Sequence, residues 1–270
     1  MAKVVPGQRG KAYDALVQCE AGLMSVTGTA EHLVKVNISV ADIAAGMYGY
    51  AGILTALYQR ERTGIGAHIA ASLLDALGEW MSQPALWTRY SGAQPQRTGA
   101  HHATIAPYGP FPTADGIQVE LPAVQSEREW ARFVEQVLEQ PNPIQDERFR
   151  GNANRIEHRE QLDALVAAAL SQLPFEEVIR RLDGAGIPNV RLNTIPESVD
   201  HVQLTARHGW TTTLTPAGPV EPLLPPVVSA ELDVQIRPVP GPGEHTKAVL
   251  TELGFSGDEM EDMTSGGSSR

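Results

Sequence analysis

Apolar positions recur at helical spacing through residues 13–26, "YDALVQCEAGLMSV", with Leu16, Leu23 and Met24 apolar, and the "TGT" that follows supplies a break. After a short polar loop, residues 39–63 predict one long helix. The run "AHIAASLL" (67–74) predicts a buried strand leading into a further helix, "DALGEWMSQPALWTRYSG", kinked or ended near Pro84. A stretch punctuated by proline and glycine, 92–116, precedes "GIQVELPA", a strand that follows a turn at Asp115 and Gly116. Three helices are predicted within 126–185: "SEREWARFVEQVLE", "NRIEHREQLDALVAAALSQL" and "PFEEVIRRLDGAG", the last with Pro174 in its first turn and glycines at its close. Residues 200–256 alternate strand-like pieces such as "WTTTL" with proline-rich loops before a final helix, "TKAVLTELG". The acidic, then Gly/Ser-rich 257–270 predict a frayed or disordered tail. The pattern is α/β with an α+β module in its middle.

Composition narrows the function classes. With 270 residues, 42% of them hydrophobic, the chain can bury a core and hold one large domain or two smaller ones. A net charge of −11 without a basic cluster argues against nucleic acid as a partner. The N-terminal "MAKVVPGQRGKAYD" lacks the apolar core of a signal peptide. No apolar run reaches the roughly 18 residues of a bilayer span, so a cytoplasmic protein with no membrane partner is expected. Cys19 is the sole cysteine, which excludes an internal disulfide and a cysteine-based zinc site. The His101–His102 pair has no acidic or cysteine partner at metal-ligand spacing, so no metal is expected, and the pair reads as polar loop residues near a pocket.

One acidic residue, Asp42, stands at the entry to the long glycine- and alanine-rich helix. Ser39 and Asp42 have the S-x-x-D spacing of a capping box, and a negative charge in a first turn is favoured by the helix dipole. Gly46, Gly49 and Gly52 then recur every third residue, at a cost of about 1 kcal/mol of helix propensity each. Such a helix expects close approach, by another element of the chain or by a ligand or second subunit near Asp42. The later "TGIG" is a helix C-cap rather than a phosphate loop, because Gly64 and Gly66 follow the helix and Arg60 and Arg62 sit at its C-terminal end. No G-x-S-x-G, Walker A or H-E-x-x-H motif occurs.

Eight pieces in one order, "YDALVQCEAGLMSVTG", "SVADIAAGMYGYAGILTALYQRERTGIG", "SLLDAL", "HHATIAPYGPFPTADG", "REWARF", "NANRIEHREQL", "AGIPNVRLNT" and "PVPGPGEHTKAVLTELGFS", closely resemble the class III CoA-transferases of the CaiB/BaiF and formyl-CoA transferase type, from about Gln8 to about Met260. That family's nucleophile is an aspartate opening a helix as D-x-x-x-G-M, the position of Asp42 here. An ordinary aspartate is ionised at neutral pH, needs no separate base, and can attack an acyl-CoA thioester.

The resemblance implies a class III CoA-transferase fold. Residues 1–75 and 200–256 would form parts of a Rossmann-like large domain, 76–100 a helical linker and 101–199 a small α+β domain. It further implies CoA transfer between carboxylic acids through an aspartyl intermediate. Coenzyme A would enter as the acyl-CoA substrate rather than as a permanently bound cofactor, and the subunits would interlock as a homodimer. His101, His102, Tyr108 and Gly109 would belong to a substrate or lid loop, resembling members that act on small dicarboxylic acids such as itaconate, mesaconate or succinate. Family members also carry an N-terminal α/β segment before "GQRGKAYD" that supplies most of the CoA-binding loops, so an inactive truncated member is one alternative. A 2-methylacyl-CoA racemase is another, although Thr29 stands where that branch places a histidine, with His32 nearby.

Overall fold

The computed structural model describes residues 12–121, 124, 126–140, 142–227 and 236–265, and these fall into two compact units that divide after Leu192. Helix α1 (Asp14–Glu20) buries Val17 and Gln18 and is followed by a single 3₁₀ turn at Leu23–Ser25. Helix α2 (Val40–Thr63) runs 24 residues and stops where Gly64 turns left-handed, its N–H closing on the Arg60 carbonyl at 2.7 Å. By length and composition α2 could cross a membrane, which corrects the expectation that no segment would. Its alanine, isoleucine, leucine, valine and methionine residues keep the average apolar, while Asp42 and the glycines and tyrosines interrupt the run. Within this chain it packs on α1 and α3 (Leu73–Trp80) through a small core of Val17, Ala41 and Leu77.

The strand expected in "AHIAASLL" is not formed. Residues 65–72 are irregular and exposed, because a strand needs a neighbour and none is supplied among the described residues. Ser72 instead caps α3, accepting from the Asp75 N–H at 3.0 Å. The chain turns at Met81 into α4 (Ser82–Ser91), so the break falls just before Pro84, which sits in the first turn of the new helix.

The main core lies wholly between Ala106 and Ile187. Strands β1 (Gly109–Pro112), β2 (Gln118–Leu121) and β3 (Val190–Arg191) form an antiparallel sheet, with Phe111 opposite Val119 and Val119 opposite Arg191. The period of two sends Phe111, Val119 and Leu121 to the buried face. Against it pack α5 (Glu127–Arg132) with its π-helical extension Phe133–Leu138, then α6 (Asn142–Gln145), α7 (Gly151–Glu157), α8 (Arg159–Leu170) and α9 (Phe175–Ala185). Leu162, Val166 and Leu170 at spacing four make the core stripe of α8, each fully buried side chain contributing about 1.5–3 kcal/mol. Pro174 stands one position earlier than expected, as the N-cap of α9.

The second unit holds α10 (Ile195–Val199), α11 (Val202–Ala206), the hairpin β4 (Thr213–Thr215) with β5 (Gly218–Val220), and α12 (Thr246–Glu252). Part of the expected tail is helical: α13 (Gly257–Ser265) starts at Ser256, whose N–H donates to Glu259 while its Oγ accepts from the Glu259 N–H. This reciprocal cap fixes a turn that composition alone reads as disordered. The remainder, 266–270, lies outside the described residues.

Candidate active site

The start of α2 is capped from outside. Ser39 is the N-cap residue yet makes no side-chain cap bond, so the box expected between Ser39 and Asp42 is not formed. The Ala41 N–H donates to Oδ1 of Asp14 at 2.9 Å, while Oδ2 of Asp14 accepts from Nε2 of Gln18 at 2.8 Å. Gln18 is fully buried, and its amide also pairs in both directions with the backbone of Val36, at 3.0 Å each way. Helix α1 therefore supplies the carboxylate that satisfies α2, and the Asp42 carboxylate is released from capping.

Asp42 is exposed in the first turn of α2, between the fully buried Ala41 and Ala44 that fix the helix's rotation. Among the described residues its carboxylate accepts no hydrogen bond and joins no ion pair. The positive end of a 24-residue helix favours an anion there. Of the three spaced glycines, only Gly52 is closely approached among the described residues, where an added Cβ would lie 3.0 Å from Cγ2 of Ile69. Gly46 and Gly49 face open space.

The four loop residues singled out by sequence do come together. The ring Nδ1 of His101 lies 2.7 Å from the carbonyl oxygen of Tyr108, and because a carbonyl only accepts, Nδ1 carries the hydrogen. Gly109, at φ +130°, packs on that ring so closely that a Cβ would lie 2.9 Å from Nδ1. His102 stacks at a tilt on Tyr108, ring centroids 5.3 Å apart, and its Nδ1 accepts from the Thr104 N–H at 3.1 Å, which leaves Nε2 as the donor. His102 and Thr104 also line a cavity of about 680 Å³ with Trp87, Gln83, Gln94 and Thr98. No carboxylate lines it among the described residues. Three further groups were not picked out by sequence. Oδ2 of Asp163 sits 3.6 Å from Nδ1 of His101, Arg159 binds the loop's carbonyls, and Glu120 lies across from His101. Burial pushes the carboxyls of Asp163 and Glu120 upward, with His101 opposing the rise at both and Arg159 also at Asp163. Asp163, a charge between the buried Leu162 and Val166 of α8, with Arg159 one turn before it, was the signal that could have found two of them.

No hydrogen bond, ion pair or ring contact among the described residues joins Asp42 to this loop. A relay of backbone pairs links their surroundings, from Val34 N–H to Thr27 O, from Gly99 N–H to Gly28 O at 2.7 Å, and from His101 N–H to Thr98 O at 3.0 Å. Thr29 closes a tight turn here, accepting from the His32 N–H at 3.2 Å and donating to Glu31 at 2.9 Å. Among the described residues no group of three or more His, Cys, Asp or Glu side chains is placed to hold a metal ion.

Comparison with known proteins gives consistent results. The family described as CoA-transferase family III matches residues 6–246. Over 244 residues the chain is 30% identical to the succinate–glutarate CoA-transferase of Agrobacterium fabrum, covering 89% of this chain and 60% of that protein. Over 174 residues it is 29% identical to the succinyl-CoA:mesaconate CoA-transferase of Haloarcula marismortui, covering 64% of this chain and 43% of the other. Among solved structures it matches a CaiB/BaiF family protein from Brucella suis at a TM-score of 0.79 and 28% identity, covering 93% of this chain and 65% of that one. The chain thus spans about 60% of the Agrobacterium relative's length, and a family match that runs through both α2 and the His101–Gly109 loop gives the conclusion that this chain belongs to CoA-transferase family III.

Proposed function

We propose that this chain carries the nucleophile of an acyl-CoA:carboxylate CoA-transferase, and that the nucleophile is Asp42. The observation that carries the reading is the division of labour at α2: Asp14 caps the helix, and Asp42, in the family's D-x-x-x-G-M position, keeps an exposed carboxylate with no partner among the described residues. A carboxylate oxygen of Asp42 attacks the thioester carbonyl, the C–S bond breaks, and CoA thiolate leaves a mixed anhydride. The thiolate then attacks the aspartyl carbonyl, releasing the donor acid and forming an aspartyl-CoA thioester. An acceptor carboxylate displaces the thiolate to give a second anhydride, and attack of the thiolate on the acceptor's acyl carbon restores Asp42. No net hydrolysis occurs.

The cavity beside His102 supports a small carboxylic acid as acceptor, since it presents amide, hydroxyl and imidazole donors and no carboxylate among the described residues. Dicarboxylic acids of the succinate, glutarate or mesaconate type follow from the relatives' names. A homodimer belongs to the same reading. Ile43, Met47, Tyr50, Ile53, Leu57 and Tyr58 of α2 are all exposed, and Gly46 and Gly49 leave room for close approach by another backbone. The assignment of 101–199 as a small domain is supported by its separate core, and the grouping of 1–75 with 200–256 is carried as part of the proposal.

The test uses protein produced from the complete reading frame, incubated with acyl-CoA and hydroxylamine, which converts an aspartyl anhydride or thioester to a hydroxamate. Mass spectrometry should place the hydroxamate on the Asp42 peptide. Transfer activity without label at Asp42 would sink the assignment.

A further inference from the structure

The loop 101–109 is gripped along its length by one polar stripe of α7 and α8. Asn152 donates from Nδ2 to the Thr104 carbonyl at 2.8 Å and accepts from the Ala106 N–H at 3.2 Å. Arg155, buried completely, donates from Nε to the Ala106 carbonyl at 3.0 Å. Arg159 donates through Nη2 to the carbonyls of both His102 and Ile105, each at 2.7 Å. Oδ2 of Asp163 stands 3.6 Å from Nδ1 of His101, the same nitrogen that donates to the Tyr108 carbonyl. Asn152 and Arg155 on α7 and Arg159 and Asp163 on α8, on either side of the helix break at His158, together meet the loop from His101 to Ala106.

This arrangement bears on how the loop works. A moving lid exposes few backbone groups to fixed partners, because each bond must break on opening. Here five backbone carbonyls of the loop, at His102, Thr104, Ile105, Ala106 and Tyr108, are taken by side chains, four of them from the stripe and one by His101. Oδ1 of Asp163 and Nη1 of Arg159 are buried without hydrogen-bond partners among the described residues, and the opposite charges one turn apart offset each other's burial. Glu120 on β2 faces the same histidine.

We propose that Arg159 and Asp163 are positioning residues that hold the His101–Gly109 loop as a fixed rim of the acceptor-acid site, so that the loop does not open during turnover. Arg159 sets the backbone on either side of His102, and Asp163 sets the His101 ring against Tyr108 and Gly109. Of the substrate and lid roles expected for the loop, these contacts support the first. Exclusion of water from the anhydride then falls to the substrate and to elements other than this loop. The word acceptor rests on the proposed transferase reading, whereas the anchoring does not.

Two variants separate these parts. Arg159→Met keeps the aliphatic stem and removes both carbonyl bonds, and Asp163→Asn keeps the shape and removes the charge. Hydrogen–deuterium exchange of the 270-residue chain should quicken at least ten-fold at the amides of His101, Thr104 and Ala106, and less than two-fold in β2. Arg159→Lys, which can reach one carbonyl but not span two, should give an intermediate value. In protein from the complete reading frame, KM for the acceptor should rise at least five-fold while the hydroxamate yield at Asp42 from acyl-CoA alone stays unchanged. Loop exchange that does not respond, or responds equally in β2, overturns the anchoring whether or not Asp42 is labelled. A loosened loop with unchanged acceptor KM overturns the positioning role.

Discussion

Asp42 and Asp14 differ in what they do for helix α2, and a pair of substitutions exposes the difference. Asp14→Ala removes the acceptor of the Ala41 N–H and one partner of the buried Gln18 amide. A lost cap costs about 1 kcal/mol and a weakened buried amide about 1 more, so about 2 kcal/mol is expected. For a chain of this size that lowers the melting temperature by roughly 4–8 °C. Asp42→Asn removes a charge that is exposed and unpartnered among the described residues, so only the helix-dipole contribution of under about 1 kcal/mol is at stake. Activity should show the reverse order. Loss of the nucleophile raises the barrier by about 5 kcal/mol or more, between three and four orders of magnitude in turnover. Asp14→Ala should leave a residual rate that follows its folded fraction. Thermal melts by circular dichroism give the first comparison, and CoA transfer by protein from the complete reading frame gives the second. Full transfer by Asp42→Asn, or a stability loss from it as large as that of Asp14→Ala, would return Asp42 to the role of a helix cap.

Arg155→Leu leaves the carbonyls of Ala106 and Phe149 without this donor, whereas the Glu127 carboxylate it also pairs is mostly exposed, so a loss of about 2–4 kcal/mol from the two carbonyls is expected in denaturant unfolding, and a midpoint shift worth under about 1 kcal/mol would refute the account. Hydrogen bonds from Arg180 and then Arg181 hold the Glu177 carboxyl down at about 2 from its ordinary 4.5, so its stabilising contribution is complete above pH 4.5 and is lost as the pH falls toward 2. Glu177→Gln should remove that part of the acid dependence, and an unchanged acid unfolding curve would count against the triad. Leu57→Glu on the exposed face of α2 should turn a sedimenting dimer into monomer with helicity retained, and a monomeric parent would refute the dimer.

Much was legible where local rules decide. The extent of α2, its glycine C-cap, the Asp115–Gly116 turn before β2 and the helix that becomes α9 all follow from periodicity and capping within a few residues of chain. The order of motifs placed the chain in its family and Asp42 at the head of its helix. What local rules could not supply were relations across the chain. "AHIAASLL" has strand composition, but a strand exists only with a partner edge, and none is found among the described residues. Ser39 has a capping sequence, but which acceptor takes the N–H groups at the start of α2 depended on Asp14, 27 residues away, reaching Ala41. The grip of Arg159 and Asp163 on a loop 54 or more residues earlier is likewise absent from any window. Periodicity, capping and motif order act over short stretches, and they were enough for the longer helices, the family and the candidate nucleophile, but not for α10, α11 or α13. That this carboxylate is spared from capping and that the His101 loop is held shows only in three dimensions, because both depend on which distant side chain satisfies a backbone group that must be paired.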